Sequence, residues 1–122
     1  MAKHIAMVNR DGGSAFDALP TPQSGALEHA GWSGVAVEAS GLFCFEIAAE
    51  PGAAEFPMHD SPDAWVGYVV CGGGTLYSGS AAGEKLGEVT VAEGDWITFE
   101  PNTQHAWKNG DAQTRMLFIK RA

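Results

Sequence analysis

An all-β fold, either a sandwich or a barrel of short strands, is the class that this sequence predicts. Short apolar or alternating runs recur along the chain, with Gly, Pro, Asn or Asp between them at intervals of roughly ten residues. No segment has the periodicity of an amphipathic helix, a heptad or a solenoid repeat. With 122 residues, 45% hydrophobic and 18% charged, the chain is long enough to bury one core and fits one globular domain.

The N-terminal part is the least regular. Residues 11–34 are rich in Gly, Pro, Ser and Ala, and Leu19-Pro20-Thr21-Pro22 prevents a helix. We therefore expect an arm or extended loop with one short strand at most, held to the body by Phe16 and Trp32. This divides the chain into an N-terminal arm, residues 1–34, and a single barrel, residues 35–122.

The body contains a series of strand-like runs separated by turns. They lie at residues 35–38, 42–50, 64–71, 75–79, 86–92 and 113–120. Three glycines at residues 72–74 interrupt the third run, so the fourth is expected to return beside it as the second arm of a hairpin. Residues 58–63 are polar and predict a turn.

The stretch of residues 93–109 predicts a strand, a tight turn and the start of a second strand. In the first strand Ile97 and Phe99 share one face, and Trp96 lies on the other. Asn102 is the non-glycine residue that best tolerates positive φ in such a turn. His105 follows directly, so the turn should hold its imidazole in a fixed position.

The formal net charge is -8, from 15 Asp and Glu against 7 Lys and Arg. This acidity argues against nucleic acids and anionic membrane surfaces, both of which favour basic patches. No run of 18 apolar residues is present to span a bilayer, and the N-terminal apolar run is too short for a signal peptide. We expect a cytoplasmic protein, in which Cys44 and Cys71 are buried thiols rather than a disulfide.

Two segments resemble the motifs of the cupin superfamily, which are small double-stranded β-helix (jelly-roll) barrels. The second cupin motif has Gly, five residues, Pro, one residue, Gly, two residues, His, three residues, Asn. Gly94, His105 and Asn109 keep this spacing, with Glu100 and Asn102 in the places of the usual Pro and Gly.

The first motif is Gly, five residues, His, one residue, His, three or four residues, Glu, six residues, Gly. The segment of residues 68–72 is similar to the end of that motif and places Trp65 at the glutamate position. With a spacing of three residues the two histidine positions are His59 and Ser61. With a spacing of four they are Met58 and Asp60.

The resemblance implies a divalent metal at the barrel mouth, held in metal-binding members by the histidines and the glutamate. Here His59 and His105 would be the nitrogen ligands, with Asp60 or Asp63 as an oxygen donor. Iron, manganese, nickel or zinc accept such a set. Trp65, Trp107 and Tyr68 are expected to line the pocket, whereas His4 and His29 are interpreted as ordinary solvated residues.

Three function hypotheses follow. The first is a metal-dependent enzyme acting on a small organic acid, a sugar derivative or a phenolic compound. The second is a metal-free isomerase, epimerase or cyclase with His105 as general base and Tyr68 or Glu46 as its acid partner. The third is a binding module without catalysis. The arm that cannot bury itself, together with the resemblance, predicts a homodimer.

Overall fold

The computed structural model describes residues 2–122, which form twelve β-strands and no helix. The strands are β1 (His4–Arg10), β2 (Gly13–Leu19), β3 (Gly25–Ala26), β4 (Trp32–Ala39), β5 (Leu42–Ala49), β6 (Phe56–His59), β7 (Trp65–Cys71), β8 (Gly73–Gly79), β9 (Lys85–Ala92), β10 (Trp96–Phe99), β11 (His105–Asn109) and β12 (Thr114–Arg121). Met1, the first residue of the expected arm, lies outside the described residues. Within that range no helix is long and apolar enough to cross a membrane.

Two antiparallel sheets build the barrel. One has six strands in the order β10-β7-β12-β5-β4-β3, and the other has four in the order β6-β11-β8-β9. The core between them contains the buried side chains of Trp32, Val69, Ile97, Trp107 and Met116. This architecture confirms the predicted all-β jelly-roll barrel.

The side chains of the six-stranded sheet alternate between the core and the outer surface. In β10, Ile97 is buried and Phe99 packs against the core, whereas Trp96 is exposed, as its alternation predicted. Directly paired residues of neighbouring strands share a face. Trp96 is paired with Tyr68 of β7, so Tyr68 also lies on the outer face.

The N-terminal segment is more regular than expected. Strands β1 and β2 form a separate two-stranded sheet around Asp11 and Gly12, both of which have positive φ. An Asp-Gly pair between two strands is a strong hairpin signal, and here it outweighs the Gly and Pro content of the residues that follow. Trp32 is buried, and its Nε1 donates to the Ala54 carbonyl at 2.7 Å, whereas Phe16 is exposed on the hairpin. The prediction that Phe16 packs against the body is therefore wrong.

The expected hairpin between residues 64–71 and 75–79 is also wrong. Strand β7 belongs to the six-stranded sheet and β8 to the four-stranded sheet, so the chain changes sheets at Gly72 and Gly73. Both glycines have positive φ, and a Cβ on either would collide with neighbouring backbone. Thr114, which is fully buried, accepts a hydrogen bond from the Gly73 amide and donates one to its carbonyl. Two of the three glycines thus carry the chain from one sheet to the other and do not form a hairpin turn.

A turn at Gly94 leads into β10. Gly94 has a φ of 88°, and its amide donates to the Val69 carbonyl at 2.9 Å. A Cβ at this position would meet no atom within 4 Å, so only backbone strain opposes a side chain here.

Gly94→Val should therefore lower the free energy of unfolding by about 1–2 kcal/mol, because a left-handed backbone conformation is unfavourable for a β-branched residue. Urea denaturation measures the change. Gly25→Val is the control, since Gly25 also has open space around its Cβ position but no positive φ. Equal unfolding midpoints for the two variants would contradict the predicted strain.

Candidate functional site

A cavity of about 620 Å³ lies inside the barrel, between the two sheets. This volume is within the range of pockets that bind small organic molecules. Residues from both sheets and from the loop between β3 and β4 line it. The barrel core is therefore partly hollow and not completely filled by side chains.

Most of the lining is apolar. The aromatic members are Trp32, Phe45, Phe56, Trp65, Phe99, Trp107 and Phe118. The aliphatic members are Leu27, Ile47, Leu76, Ile97 and Met116. Such a wall favours a ligand with an apolar body, because burying apolar surface provides the driving force and aromatic faces add stacking contacts.

The two histidines of the cupin resemblance come together at this cavity. His105 is paired with His59 across strands β11 and β6, and their ring centroids are 4.2 Å apart. His105 also stacks on Phe99, with centroids 4.1 Å apart. The turn before β11 is held by the Asn102 amide, which donates to the Ser61 carbonyl at 2.7 Å. Asn102 has a φ of 61°, as predicted for this turn.

Both imidazoles are oriented by backbone carbonyls. Nδ1 of His59 lies 2.8 Å from the Pro57 oxygen, and Nδ1 of His105 lies 2.9 Å from the Thr103 oxygen. A carbonyl oxygen only accepts, so each Nδ1 must carry the proton. In the neutral ring Nε2 is then the nitrogen with a free lone pair, which can accept a proton or bind a metal.

The surroundings of His105 favour its neutral form. Burial lowers the pKa of the His105 imidazole below its usual value, with a smaller contribution in the same direction from His59. The bond to the Thr103 carbonyl and the charge of Asp60 raise the pKa but do not reverse the effect. His105 therefore presents an unprotonated Nε2 at neutral pH.

Two further positions of the first cupin motif also face the cavity, but they bind each other. Ser61 and Trp65 both line it, and the Trp65 Nε1 donates to the Ser61 Oγ at 3.1 Å. These residues occupy the places that the resemblance assigns to a second histidine and a glutamate. A hydrogen bond between a hydroxyl group and an indole thus occupies the two motif positions at which the resemblance implies metal ligands.

The expected oxygen donors do not complete a metal site. Asp60 is exposed and does not line the cavity, and Asp63 forms an ion pair with the Lys120 Nζ at 3.2 Å. Across residues 2–122, no three His, Cys, Asp or Glu side chains are grouped so that they could hold a metal ion. The donor chemistry of His59 and His105 fits two nitrogen ligands of a divalent metal, and any further ligand would come from water or from a bound molecule.

Of the three predicted pocket residues, two line the cavity and one lies on the outer face of the barrel. Trp65 and Trp107 line the cavity, as expected. Tyr68 does not, because it lies on the outer face of β7 and packs against Trp96 with centroids 4.7 Å apart. Glu46 is also on the outer face, where it accepts a 2.9 Å hydrogen bond from Arg115. Neither Tyr68 nor Glu46 is placed to act as the acid partner of His105.

His29, expected to be an ordinary solvated residue, is a cavity residue. It lines the cavity from the loop before β4, and its ring packs edge-on against Phe56 at 4.6 Å between centroids. Phe56 in turn contacts His59, at 4.9 Å. Glu28 lines the cavity beside His29. No motif marked this loop, which the pairing of β3 with β4 and a 2.9 Å hydrogen bond from the Ala54 amide to the Ala30 carbonyl bring to the cavity.

Comparison with known families agrees with this architecture. A model of the cupin domain matches residues 45–120, which is more than half of the chain. The chain belongs to the cupin family. The match includes Ser61, Trp65, His59 and His105, so the resemblance that the sequence suggested is confirmed.

Solved structures with the same fold have low sequence identity to this cupin. A cupin-2 domain protein from Rhodospirillum rubrum has a TM-score of 0.68 at 14% identity, over 83% of this chain and 70% of that chain. A protein from Neisseria meningitidis has a TM-score of 0.58 at 15% identity, over 73% and 82%. Oxalate decarboxylase from Bacillus subtilis has a TM-score of 0.67 at 18% identity, over 82% of this cupin but 27% of its own chain. No curated protein matches the sequence.

Proposed function

We propose that this cupin binds a small organic molecule with an apolar, preferably aromatic body and an oxygen-bearing head group, and acts on it as an enzyme. The observation that carries the proposal is the largely aromatic cavity with His59 and His105 as its paired imidazoles. Of the substrate classes considered, a phenolic compound suits the wall better than a sugar derivative, whose hydroxyl groups would be buried without partners.

The polar residues of the cavity would orient such a molecule. His59 and His105 each offer a free Nε2 to an acidic hydroxyl of the ligand. The rings of Trp65 and Phe99 supply flat apolar surface beside that head group. The apolar walls of the barrel would surround the body of the bound molecule, whereas the exposed side chain of His59 places the head group at the solvent-facing mouth.

The proposal includes a divalent metal ion held by His59 and His105. The carbonyl-bonded Nδ1 atoms are the arrangement that metal-binding histidines commonly have. Oxalate decarboxylase from Bacillus subtilis, which shares the fold, has Mn(II) centres. When bound, such a metal would supply Lewis-acid or oxygen-activating chemistry to the head group. The protein's own contribution is to hold the molecule in position against the aromatic wall.

A metal-free reaction is the second candidate, and the lowered pKa of His105 favours it. A neutral imidazole with a free Nε2 can act as a general base at neutral pH. Glu28 lines the same cavity, where its carboxylate would orient a hydroxyl group of the ligand by accepting its hydrogen bond. Activity that survives chelators but is lost in His105→Ala would distinguish this candidate from the metal-dependent one.

Tryptophan fluorescence tests the binding step, because Trp32, Trp65 and Trp107 line the cavity. We expect saturable quenching by a hydroxybenzoic acid and none by oxalate, which lacks an apolar body. Trp96→Phe is the matched background variant, since Trp96 lies on the outer surface, and it should titrate like the wild type. Saturable binding of oxalate but not of the aromatic acid would contradict the assignment.

A further inference from the structure

Ser61 brings to the cavity a hydroxyl group whose hydrogen bonds are only partly made within the protein. A serine hydroxyl can accept two hydrogen bonds and donate one. The Ser61 Oγ accepts from the Trp65 Nε1 at 3.1 Å and from the Asp63 amide at 3.2 Å, so both of its lone pairs are used. Within residues 2–122, no protein group accepts the hydrogen of this hydroxyl. That hydrogen is therefore free for a molecule in the cavity.

The segment that carries Ser61 is held in place by two other parts of the barrel. The Ser61 carbonyl accepts from the Asn102 amide at 2.7 Å, which connects it to the turn before β11. Asp63 is paired with Lys120 of β12, and the Lys120 Nζ lies 5.7 Å from the centre of the Trp65 ring. Both donors to the Ser61 Oγ are thus fixed, and two occupied lone pairs leave one direction for the hydroxyl hydrogen.

The other polar groups of the lining mostly accept hydrogen bonds or have already donated theirs. The three indole N–H groups of the cavity donate to protein oxygens, namely Trp32 to the Ala54 carbonyl, Trp65 to Ser61 and Trp107 to the Asn109 side chain. The carboxylate of Glu28 and the Nε2 atoms of His59 and His105 accept. Apart from His29 on the loop before β4, Ser61 alone among the described lining residues offers the cavity a side-chain hydrogen that no protein oxygen takes.

We propose that Ser61 donates this hydrogen to the hydroxyl oxygen of the ligand's head group and so selects aromatic molecules that carry a hydroxyl group. The inference rests on the proposed function, because it assigns a residue to the head group of the same ligand. Ser61 follows His59 by two residues, and its carbonyl is bonded three residues before His105, so the donor lies beside the imidazole pair.

A hydroxyl group is the head group that satisfies both kinds of neighbour. Its hydrogen can be donated to an imidazole Nε2 while its oxygen accepts from Ser61. A group that only accepts would direct its lone pairs at those of the Nε2 atoms. If the imidazoles held a metal ion, the ligand oxygen would still keep a lone pair for Ser61. The assignment therefore applies to both candidate reactions.

Calorimetric titrations with para-ethylphenol and para-ethyltoluene test the assignment. The two probes have the same shape, and the second has a methyl group in place of the hydroxyl. The wild type should bind para-ethylphenol more tightly. Ser61→Ala should reduce this preference, the ratio of the two dissociation constants, by about five- to tenfold, which is the scale of one hydrogen bond from a neutral hydroxyl. Ser61→Thr keeps the hydroxyl group and should retain the preference.

Ser80→Ala is the matched control. The Ser80 hydroxyl also accepts from a backbone amide, that of Glu84, but Ser80 does not line the cavity, so this variant should bind both probes like the wild type. Trp65→Phe provides an independent variant, because it keeps an aromatic ring but removes the N–H that orients the Ser61 hydroxyl. Its preference for para-ethylphenol should also decrease.

The outcomes separate this inference from the proposed function. An unchanged preference in Ser61→Ala, or an equal loss of affinity for both probes, would overturn the role of Ser61 and leave the proposed function intact. Wild-type protein that binds a hydroxybenzoic acid but shows no preference for para-ethylphenol would do the same. If the wild type bound none of these molecules, the proposed function would fail and the inference with it.

Discussion

The His105→Ala variant is expected to carry at least about tenfold less divalent metal than the wild type, because even the outer partners of a metal ligand change affinity on this scale. His105 and His59 are the two imidazoles that meet at the cavity, and no third protein ligand is grouped with them in residues 2–122. In the proposed site, loss of one would therefore remove half of the protein ligands. Elemental analysis by inductively coupled plasma mass spectrometry, after purification without chelator or nickel resin, measures the content.

His29→Ala provides the matched control for this experiment. His29 also lines the cavity, but it packs on Phe56 and is not part of the imidazole pair. Its variant should keep the wild-type metal content. Unchanged metal in His105→Ala would remove His105 from the ligand set. Wild-type protein without iron, manganese, nickel or zinc would favour the metal-free candidate, and the fluorescence titration would then decide whether the pocket binds an aromatic acid.

Thr114→Val should lower the free energy of unfolding by roughly 2 kcal/mol although valine has nearly the same shape as threonine. The Thr114 Oγ1 accepts from the Gly73 amide at 3.0 Å and donates to the Gly73 carbonyl at 3.1 Å. The carbonyl keeps a second donor, the Gly110 amide, but the Gly73 amide would lose its partner inside the protein. The unsatisfied amide of the half-buried Gly73 is the main source of the cost.

Thermal unfolding should show this loss as a decrease in melting temperature on the order of 8 °C. Thr98→Val is the matched control, because Thr98 is exposed on β10 and should change the melting temperature little. Thr114→Ser should recover much of the stability, since it keeps the hydroxyl group. Equal melting temperatures for Thr114→Val and Thr98→Val would show that the crossover at Gly72 and Gly73 does not depend on these hydrogen bonds.

The elements that were predicted well are those with a strong local pattern. Strand β10 and the turn at Asn102 follow from alternation and from the tolerance of Asn for positive φ, and both hold in the structure. The hairpin of β1 and β2 was missed although Asp11-Gly12 marks its turn, because the surrounding Pro and Gly content was given more weight. A polar turn was predicted for residues 58–63, but Met58 and His59 belong to strand β6, because β6 pairs with β11.

The residues of the candidate site were also predicted only in part. His59, His105 and Trp65 were predicted from motif spacing, and Trp107 from its expected place at the barrel mouth; all four line the cavity. Tyr68 was placed in the pocket from its position in the motif, but β7 alternates and directs it outward. Alternation alone could have excluded it. A cytoplasmic location and a homodimer stay predictions.

By itself, the sequence determined the fold class and the two histidines, because strand periodicity and motif spacing are properties of neighbouring residues along the chain. Only the tertiary structure decided what surrounds those histidines. The crossover at Gly72 and Gly73 sends β8 to the other sheet, next to β11, and the pairing of β3 with β4 brings His29 to the cavity. These contacts join residues far apart in the chain, and backbone pairing rather than local preference selects them.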